Sequence, residues 1–376
     1  MSLALSFQDI QAAMVLNQMG LSSRQEVKKT YSQGISLGEI LNQWRDQKNP
    51  ELSVLLEKFN PKKEFNLCME KKIEMISMAD PAYPELLRSI DDAPLILYAC
   101  GQTDLLASLA IAIVGSRQAS FYGSEQAHRF ARVLADAGFT IVSGLALGID
   151  QEAHEAALEA EGKTIAVLGC GINVVYPREN ARLFERIRKQ GLILSEYPLG
   201  AEPRAYHFPR RNRILSGLSL GVLVVEAHER SGSLITAYQA LEQGREVFAI
   251  PGPVQHITAR GTHRLIREGA TLVEAPEEII QAVSEHSGIL QFQSTQKYSE
   301  KPVEKEPHAV ALPELFSESK SEDLQPLLIL LKQQSRDYEG LFELSNMEPQ
   351  DFARTLTELE IEGKVRKNSS GYYEIS

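Results

Sequence analysis

The chain has little that points to metal, disulfide or membrane chemistry. Its three cysteines, Cys68, Cys100 and Cys170, are scattered through 376 residues, which makes neither a disulfide framework nor a spaced set of metal ligands. Each reads as a small apolar side chain. The eight histidines include no HExxH pattern, and neither a metal nor a cofactor is expected. No run approaches the ~18 uninterrupted apolar residues of a membrane span. The opening residues MSLALSFQDIQAAM lack the basic start and small-residue cleavage site of a secretory signal. These absences point to the cytoplasm. A full G-x-x-x-x-G-K-[ST] phosphate loop is also missing, which argues against an ATP-driven motor.

Positive charge is in short supply. Lys and Arg number 39 against 50 Asp and Glu, a net of −11, which on its face argues against a nucleic-acid partner. The distribution softens that objection. Residues 281–376 hold 10 basic and 17 acidic residues, a net of −7, whereas residues 101–280 hold 18 and 20, a net of −2. Arg204, Arg210, Arg211 and Arg213 fall within ten residues, so a local basic groove on a nearly neutral domain is possible.

What is present is concentrated between Phe208 and Ala240, FPRRNRILSGLSLGVLVVEAHERSGSLITAYQA. A basic cluster leads into an apolar strand, then into the small-residue loop Ser231-Gly232-Ser233 and a helix. Such a loop offers N–H groups and hydroxyls at a helix N-terminus, where the dipole favours an anion. Arginines nearby add planar donors that match phosphate.

Around this stretch the chain divides by pattern. Residues 1–65 read as a small helical module, with breaks and caps at Gly20–Ser23 and Gly34–Leu37. Glu74 to Ser77 reads as a strand, Asp80 to Pro84 as a turn, and Leu95 to Tyr98 as a second apolar run. From Leu109, short apolar runs (AIAIVG, FTIVSG, TIAVLG, LILSEY, LGVLVVEA, EVFAIPG, TLVEA) alternate with helical segments. That alternation predicts an α/β domain with a doubly wound parallel sheet over 66–283. Ligands of such sheets sit at the carboxyl ends of the strands, where Gly115-Ser116-Arg117, Ser143-Gly144 and Gly169-Cys170-Gly171 fall. Residues 284–322 read as a linker. Residues 323–376 predict three helices (324–334, 338–345, 349–362) and a hairpin turning at 368–371, a winged-helix pattern. Its few basic residues stand among acids, so a protein-contact or structural role there is at least as favoured as duplex reading.

Each motif has a plainer alternative. Gly115-Ser116-Arg117 is either a phosphate contact or an ordinary turn with a solvated arginine. The nucleotide fingerprint G-x-G-x-x-G with an acidic residue ending the second strand is absent, since the loop is GSRQAS and that strand ends in Ser143-Gly144. Asp150 and His154 lie four apart on one helix face, and capping and packing are preferred to a metal pair that lacks further ligands. Glu226 reads as a residue that orients Arg211 or Arg213 rather than as a catalytic acid. Phe208 is either a stacking surface for bases beside arginines or a core side chain.

Taken together, these residues resemble the DNA processing protein A (DprA, or Smf) family. The resemblance rests on ordered blocks between about Asp80 and Glu278: Asp80-Pro81-x-Tyr83-Pro84, Ile113-Val114-Gly115-Ser116-Arg117 and Ser143-Gly144-Leu145-Ala146-x-Gly148-Ile149-Asp150-x-x-Ala153-His154. Tyr176-Pro177, Leu194-Ser195-Glu196, Phe208-Pro209-x-Arg211-Asn212-Arg213, Val225-Glu226-Ala227, Ser231 to Ala237 and Pro251-Gly252 complete it. It implies an extended Rossmann-like domain, a SAM-like N-terminal domain and a winged-helix C-terminal domain. The implied function is single-stranded DNA binding in natural transformation, protecting incoming strands and loading the RecA recombinase. The implied state is a cytoplasmic homodimer without catalytic activity. The implied DNA site includes Arg117 and Phe208. The family lysine three residues before the aromatic falls on Ala205 here, with Arg204 beside it, and the family Asn of the later Gly-Thr-Asn block is His263.

The full set expected to hold DNA or its phosphates is Gly115, Ser116, Arg117, Gly144, Arg204, Phe208, Arg211, Asn212, Arg213, Ser231, Gly232, Ser233 and Thr236. The alternatives are a nucleoside-monophosphate phosphoribohydrolase-like enzyme or a nucleotide sensor on the same fold. The first is disfavoured, because such enzymes typically carry PGGxGTxxE, and Ala237 follows Thr236 here where an acid would be needed.

Overall fold

The computed structural model describes residues 7–286 and scattered positions between Leu331 and Ile375. It divides into two units, Met1–Gln293 and Ser294–Ser376.

The first unit begins with five helices: α1 (Phe7–Leu16), α2 (Leu21–Ser32), α3 (Leu37–Asp46), α4 (Pro50–Lys58) and α5 (Pro61–Glu70). Local chemistry sets their starts. Ser36 and Glu39 form a reciprocal capping box on α3. Asn49 and Asn60 cap α4 and α5, each followed by a proline in the first helical turn. Then come β1 (Glu74–Ser77), α6 (Glu85–Ser89), β2 (Ile96–Gly101), β3 (Ala110–Val114), α7 (Phe121–Asp136), β4 (Thr140–Ser143), α8 (Ile149–Glu159) and β5 (Thr164–Leu168). The unit continues with α9 (Ala181–Gln190), β6 (Leu192–Ser195), α10 (His207–Gly217), β7 (Gly221–Val224), α11 (Gly232–Glu242), β8 (Glu246–Ala249), α12 (Arg260–Arg267), β9 (Thr271–Leu272) and α13 (Pro276–His286).

The strands form one nine-stranded sheet in the order β1-β2-β6-β5-β4-β3-β7-β8-β9. From β6 to β9 every pairing is parallel. The expectation of a parallel sheet needs one correction: β2 runs antiparallel to β6, and β1 antiparallel to β2. The two early strands extend the sheet at one edge. Along β3, Ile111 and Ile113 join one apolar cluster with α7 and α8, while Ala110, Ala112 and Val114 join a second on the other face. Both faces are covered, which is why these strands read as unbroken apolar runs.

That second cluster also holds Ala12 to Leu16 of α1, Leu37 and Ile40 of α3, and Leu95 to Ala99. The N-terminal helices and the sheet therefore share one core. Asn17 reinforces the join, donating from Nδ2 to the Glu196 carbonyl and accepting from the Leu95 N–H, both at 2.9 Å. No helix among the described residues is long and apolar enough to cross a membrane.

In the second unit, Leu331, Leu341, Phe352, Leu356, Leu359, Val365 and Tyr373 form a small apolar cluster. A hairpin of β10 (Val365–Lys367) and β11 (Tyr373–Ile375) pairs Val365 with Ile375. The expected linker lies outside the described residues from 287 onward, as do most positions of the three expected helices and the hairpin turn.

Candidate functional site

The chain runs outward from β3 through β4 and β5 to β6, then returns to the other side of β3 with β7. At this reversal of strand order the carboxyl ends leave a crevice. A cavity of about 380 Å³ occupies it. Gly115 and Arg117 line it after β3, Ala146 and Asp150 line it around the start of α8, and Ser231, Gly232, Ser233 and Thr236 line it at the start of α11. The remaining wall is α10 with its approach: Ala205, Phe208, Pro209, Arg211, Asn212 and Leu215.

Helical geometry explains this selection. At about 100° per residue, Phe208, Arg211, Asn212 and Leu215 share one face of α10, and Arg210 and Arg213 point elsewhere. Arg213 was expected at a phosphate and is not in the cavity. It is buried, and its Nη1 and Nη2 donate to the two Glu196 carboxylate oxygens at 2.9 and 2.8 Å. Its Nε reaches Asp92 Oδ2 at 3.0 Å. Burial alone would lower the Arg213 pKa, but Glu196 and Asp92 more than offset this and raise it. Arg24 of α2 joins the cluster, donating to Asp92 at 2.9 Å.

Arg211 is also buried, beneath the cavity wall. Its Nη1 donates to the carbonyls of Gly144, at 2.7 Å, and Val167, and its Nε donates to Asn212 Oδ1 at 3.1 Å. Burial lowers its pKa from the ordinary value, while the Asp150 charge opposes that shift. Asp150 is pushed up by burial and held down by Arg211 and by the N–H groups of Ala146 and Gly144. Gly144 does not line the cavity. A Cβ there would come 2.3 Å from Arg211 Nη1, so the glycine makes room for the guanidinium.

Arg117 is exposed, with its guanidinium carbon 5.4 Å from the centre of the Phe208 ring. That is a cation–π distance. Phe208 is half-buried. It rests on Gly169, where a Cβ would lie 2.9 Å from the ring, and beside Tyr176, with ring centres 5.6 Å apart. Between the two readings of Phe208, it is therefore a wall of the cavity. Ser116 turns away from the cavity, its hydroxyl accepting from the Gln118 N–H and donating to the Gln118 carbonyl. Arg204 is exposed outside the cavity and donates to the Tyr206 hydroxyl at 3.0 Å.

The α11 end presents a capped helix N-terminus to the cavity. Ser231 caps the helix, accepting from the Ser233 N–H, and its Oγ lies 2.6 Å from Ser233 Oγ. A Cβ at Gly232 would meet nothing within 4 Å, so the approach is open. Thr236 Oγ1 is buried and has no hydrogen-bond partner among the described residues, an arrangement that costs about 1–3 kcal/mol if nothing satisfies it. The charged residues lining the cavity are Arg117, Arg211 and Asp150, a net of one positive charge.

Two further expectations are corrected. Glu226 orients neither arginine. It accepts from the Ser120 N–H and Oγ and from Thr258 Oγ1, which ties the start of α7 to the loop after β8. Asp150 caps the preceding loop through the Gly144 and Ala146 N–H groups rather than its own helix. His154 is buried, with Nδ1 2.6 Å from Thr164 Oγ1. That hydroxyl already donates to the Ile141 carbonyl, so Nδ1 carries the proton, and burial lowers the imidazole pKa to about 3. Among the described residues no group of three His, Cys, Asp or Glu is placed to hold a metal. Burial pushes the Cys68 thiol up to about 12 and Cys170 to about 11, so neither is a ready nucleophile. His263 packs against the Gly252 carbonyl at 2.9 Å.

Two functional positions were missed. Asp150 sits beside Arg211 in the cavity wall, whereas its sequence signal offered a helix cap or, less favoured, half of a metal pair. Tyr176, quoted only as part of Tyr176-Pro177, packs on Phe208.

Comparison with known proteins gives a consistent picture. The profile of the family described as DNA recombination-mediator protein A matches residues 74–284. Protein Smf of Escherichia coli is 51% identical over 221 residues, covering 58% of this chain and 59% of that protein. The X-ray structure of DNA processing protein A from Streptococcus pneumoniae matches with a TM-score of 0.63 and 38% identity, covering 72% of this chain and 95% of that one. DNA processing protein A from Helicobacter pylori, solved for its single-stranded DNA binding mode, matches with a TM-score of 0.52 and 31% identity over 57% of this chain and 97% of that one.

Proposed function

The chain belongs to the DNA recombination-mediator protein A family, and from that premise we propose that it binds single-stranded DNA in the cavity between β3, β7 and α10. The observation that carries this reading is the pairing of Arg117 with Phe208 at a cavity that ends on the N-terminus of α11. An aromatic face takes a base of any sequence, and a guanidinium and a helix N-terminus take the adjoining phosphates. Gly115, Asn212, Ser231, Gly232, Ser233 and Thr236 complete the contact surface. Gly144 and Arg213 support it from behind, Ser116 shapes the turn that presents Arg117, and Arg204 lies outside the cavity where a longer strand passes.

The wider role is DNA processing in natural transformation, in which the chain acts as a cytoplasmic homodimer that protects incoming strands and loads the RecA recombinase without catalysis of its own. Residues 1–65 are read as a SAM-like module, 66–283 as the DNA-binding domain, 284–322 as a linker and 323–376 as a winged-helix domain. The separate apolar cluster and hairpin of the second unit support the last assignment.

The test is an anisotropy titration of a labelled dT oligomer at low and high salt, against matched duplex and excess AMP. Binding is expected to prefer the single strand and to weaken with salt as counterions are released. Arg117→Ala is expected to lose most of that affinity with its thermal unfolding unchanged. Displacement by AMP would turn the reading towards a nucleotide sensor, and release of free base from nucleotides towards a phosphoribohydrolase.

A further inference from the structure

Beside the cavity lies a segment with a charge pattern of its own. Tyr176, packed on Phe208 and 41% exposed, stands at the rim. After Pro177 the chain makes a short 3-10 turn, Arg178–Asn180, and enters α9. Asn180 pins this entry to the cavity, donating from Nδ2 to the Leu145 and Ala146 carbonyls at 3.1 and 3.2 Å. Leu183, Phe184 and Ile187 bury the inner face of α9.

The outer side carries Arg178, Arg182, Arg186 and Lys189, all exposed. On α9 the spacing of four and three keeps Arg182, Arg186 and Lys189 on one face, with neighbouring Cβ atoms about 5–6 Å apart, and Arg178 precedes them in the 3-10 turn. None of the four makes an ion pair among the described residues. Glu185 on the same helix is already taken by Arg188, through Nε at 3.0 Å and Nη2 at 2.7 Å. Exposed Glu179 stands beside Arg178. At the far end Arg186 and Lys189 share a shallow hollow with Lys163, Glu159 and Glu161.

Helix stability does not account for this stripe. Cations in the last turn of a helix complement the dipole, which covers Lys189. Cations at the N-terminus oppose it, and Arg178 and Arg182 stand there with no acidic residue in the first turn. An acidic chain that holds a row of unpaired cations, two of them against the local dipole, beginning beside a cavity with positive charge, is arranged for an extended polyanion.

We propose that the outer side of the 3-10 turn and of α9, from Arg178 to Lys189, is a second contact for single-stranded DNA and follows the phosphates of a strand leaving the cavity past Tyr176. This rests on the reading that the cavity holds single-stranded DNA. The stripe spans about 16 Å, so it adds backbone contacts only for strands longer than those the cavity holds.

The test uses the full chain with Arg182→Gln, Arg186→Gln and Lys189→Gln combined, all at exposed positions. Its binding is compared with wild type on labelled dT oligomers of about 4 and about 25 nucleotides, bracketing common site sizes, between about 50 and 200 mM salt. With the long oligomer the variant's slope of log affinity against log salt is expected to be shallower by about 2, from three lost contacts at about 0.7 each. Affinity for the short oligomer is expected to be unchanged. An unchanged long-oligomer slope, or an equal loss at both lengths, overturns the proposal. Arg117→Ala, run in parallel, separates the two readings. If it leaves both oligomers unaffected, the cavity reading and the track leading from it fail together. If it weakens both while the triple variant changes neither, only the track fails.

Discussion

Replacing Arg213 with methionine is expected to cost stability and to leave the electrostatics of DNA binding alone. The sequence put Arg213 among the phosphate ligands, whereas the fold places it behind α10. There it makes two charge-assisted bonds to Glu196 at 2.9 and 2.8 Å and one to Asp92 at 3.0 Å. Glu196 is 2% exposed, and removing one partner of a buried pair costs about 3–5 kcal/mol because the other charge is stranded. Two further cations reduce the penalty here, since Arg210 Nη2 lies 3.3 Å and Arg24 Nη1 3.9 Å from Glu196. The lower figure, about 3 kcal/mol, is therefore the better expectation. With a urea slope of about 3 kcal/mol/M for a unit of this size, the midpoint should fall by about 1 M. The measurement is urea unfolding of Arg213→Met followed by circular dichroism, paired with the salt dependence of dT oligomer affinity below the unfolding range. A direct phosphate ligand would instead make the slope of log affinity against log salt shallower by about 0.7. An unchanged urea midpoint together with that reduced slope would refute the reasoning.

Two other substitutions probe the interior of the site. Thr236→Val removes a buried hydroxyl without a partner and keeps its shape, so urea stability should hold or rise while strand affinity falls about fivefold to tenfold, the worth of roughly 1 kcal/mol. Full affinity in the valine variant, by anisotropy, would show that the hydroxyl meets no ligand. Burial keeps the His154 imidazole neutral with its pKa lowered to about 3, whereas the unfolded chain takes up this proton near pH ~6.5. This contribution to stability is therefore complete above the unfolded value and declines as pH falls towards the folded one, by up to about 1.4 kcal/mol per pH unit. His154→Gln should flatten the dependence of urea midpoint on pH between about 6 and 4, and parallel curves would exclude His154 as its source.

The parallel core was legible because both faces of strands such as Ala110–Val114 are buried, leaving an apolar run with no alternation to obscure it. The edge was less legible. Nothing in Glu74–Ser77 or Ile96–Gly101 says that β2 pairs with β6, nearly a hundred residues later, because periodicity reports which face is buried and not which neighbour is beside it. The same limit hid Glu226. Its partner Ser120 lies 106 residues away, so only the assembled sheet brings them together. Arg213 is different, since its placement was available in principle. Residues 208, 211, 212 and 215 follow the three-and-four spacing of one helix face, and residues 210 and 213 follow it on another. Counting four arginines as one basic cluster overlooked the helix that divides them.

The two arginines left in the cavity also differ from each other. Arg211 has spent Nη1 on two carbonyls and Nε on Asn212, leaving Nη2 as its one nitrogen without an acceptor among the described residues. It cannot present the two-pronged fork that arginine offers phosphate elsewhere. Its contribution is a fixed charge beneath the wall, held by Gly144, whose missing side chain is what lets the guanidinium in. Arg117 is exposed and, among the described residues, committed only to the face of Phe208, so on the proposed reading it would follow a moving strand with its full set of donors. A lysine at 211 would lose the carbonyl bonds and the fold's support together, whereas a lysine at 117 would keep most of the charge and lose chiefly the stacking. On the proposed reading one arginine is part of the cavity's structure and the other is free to meet the strand, and only the second should tolerate exchange.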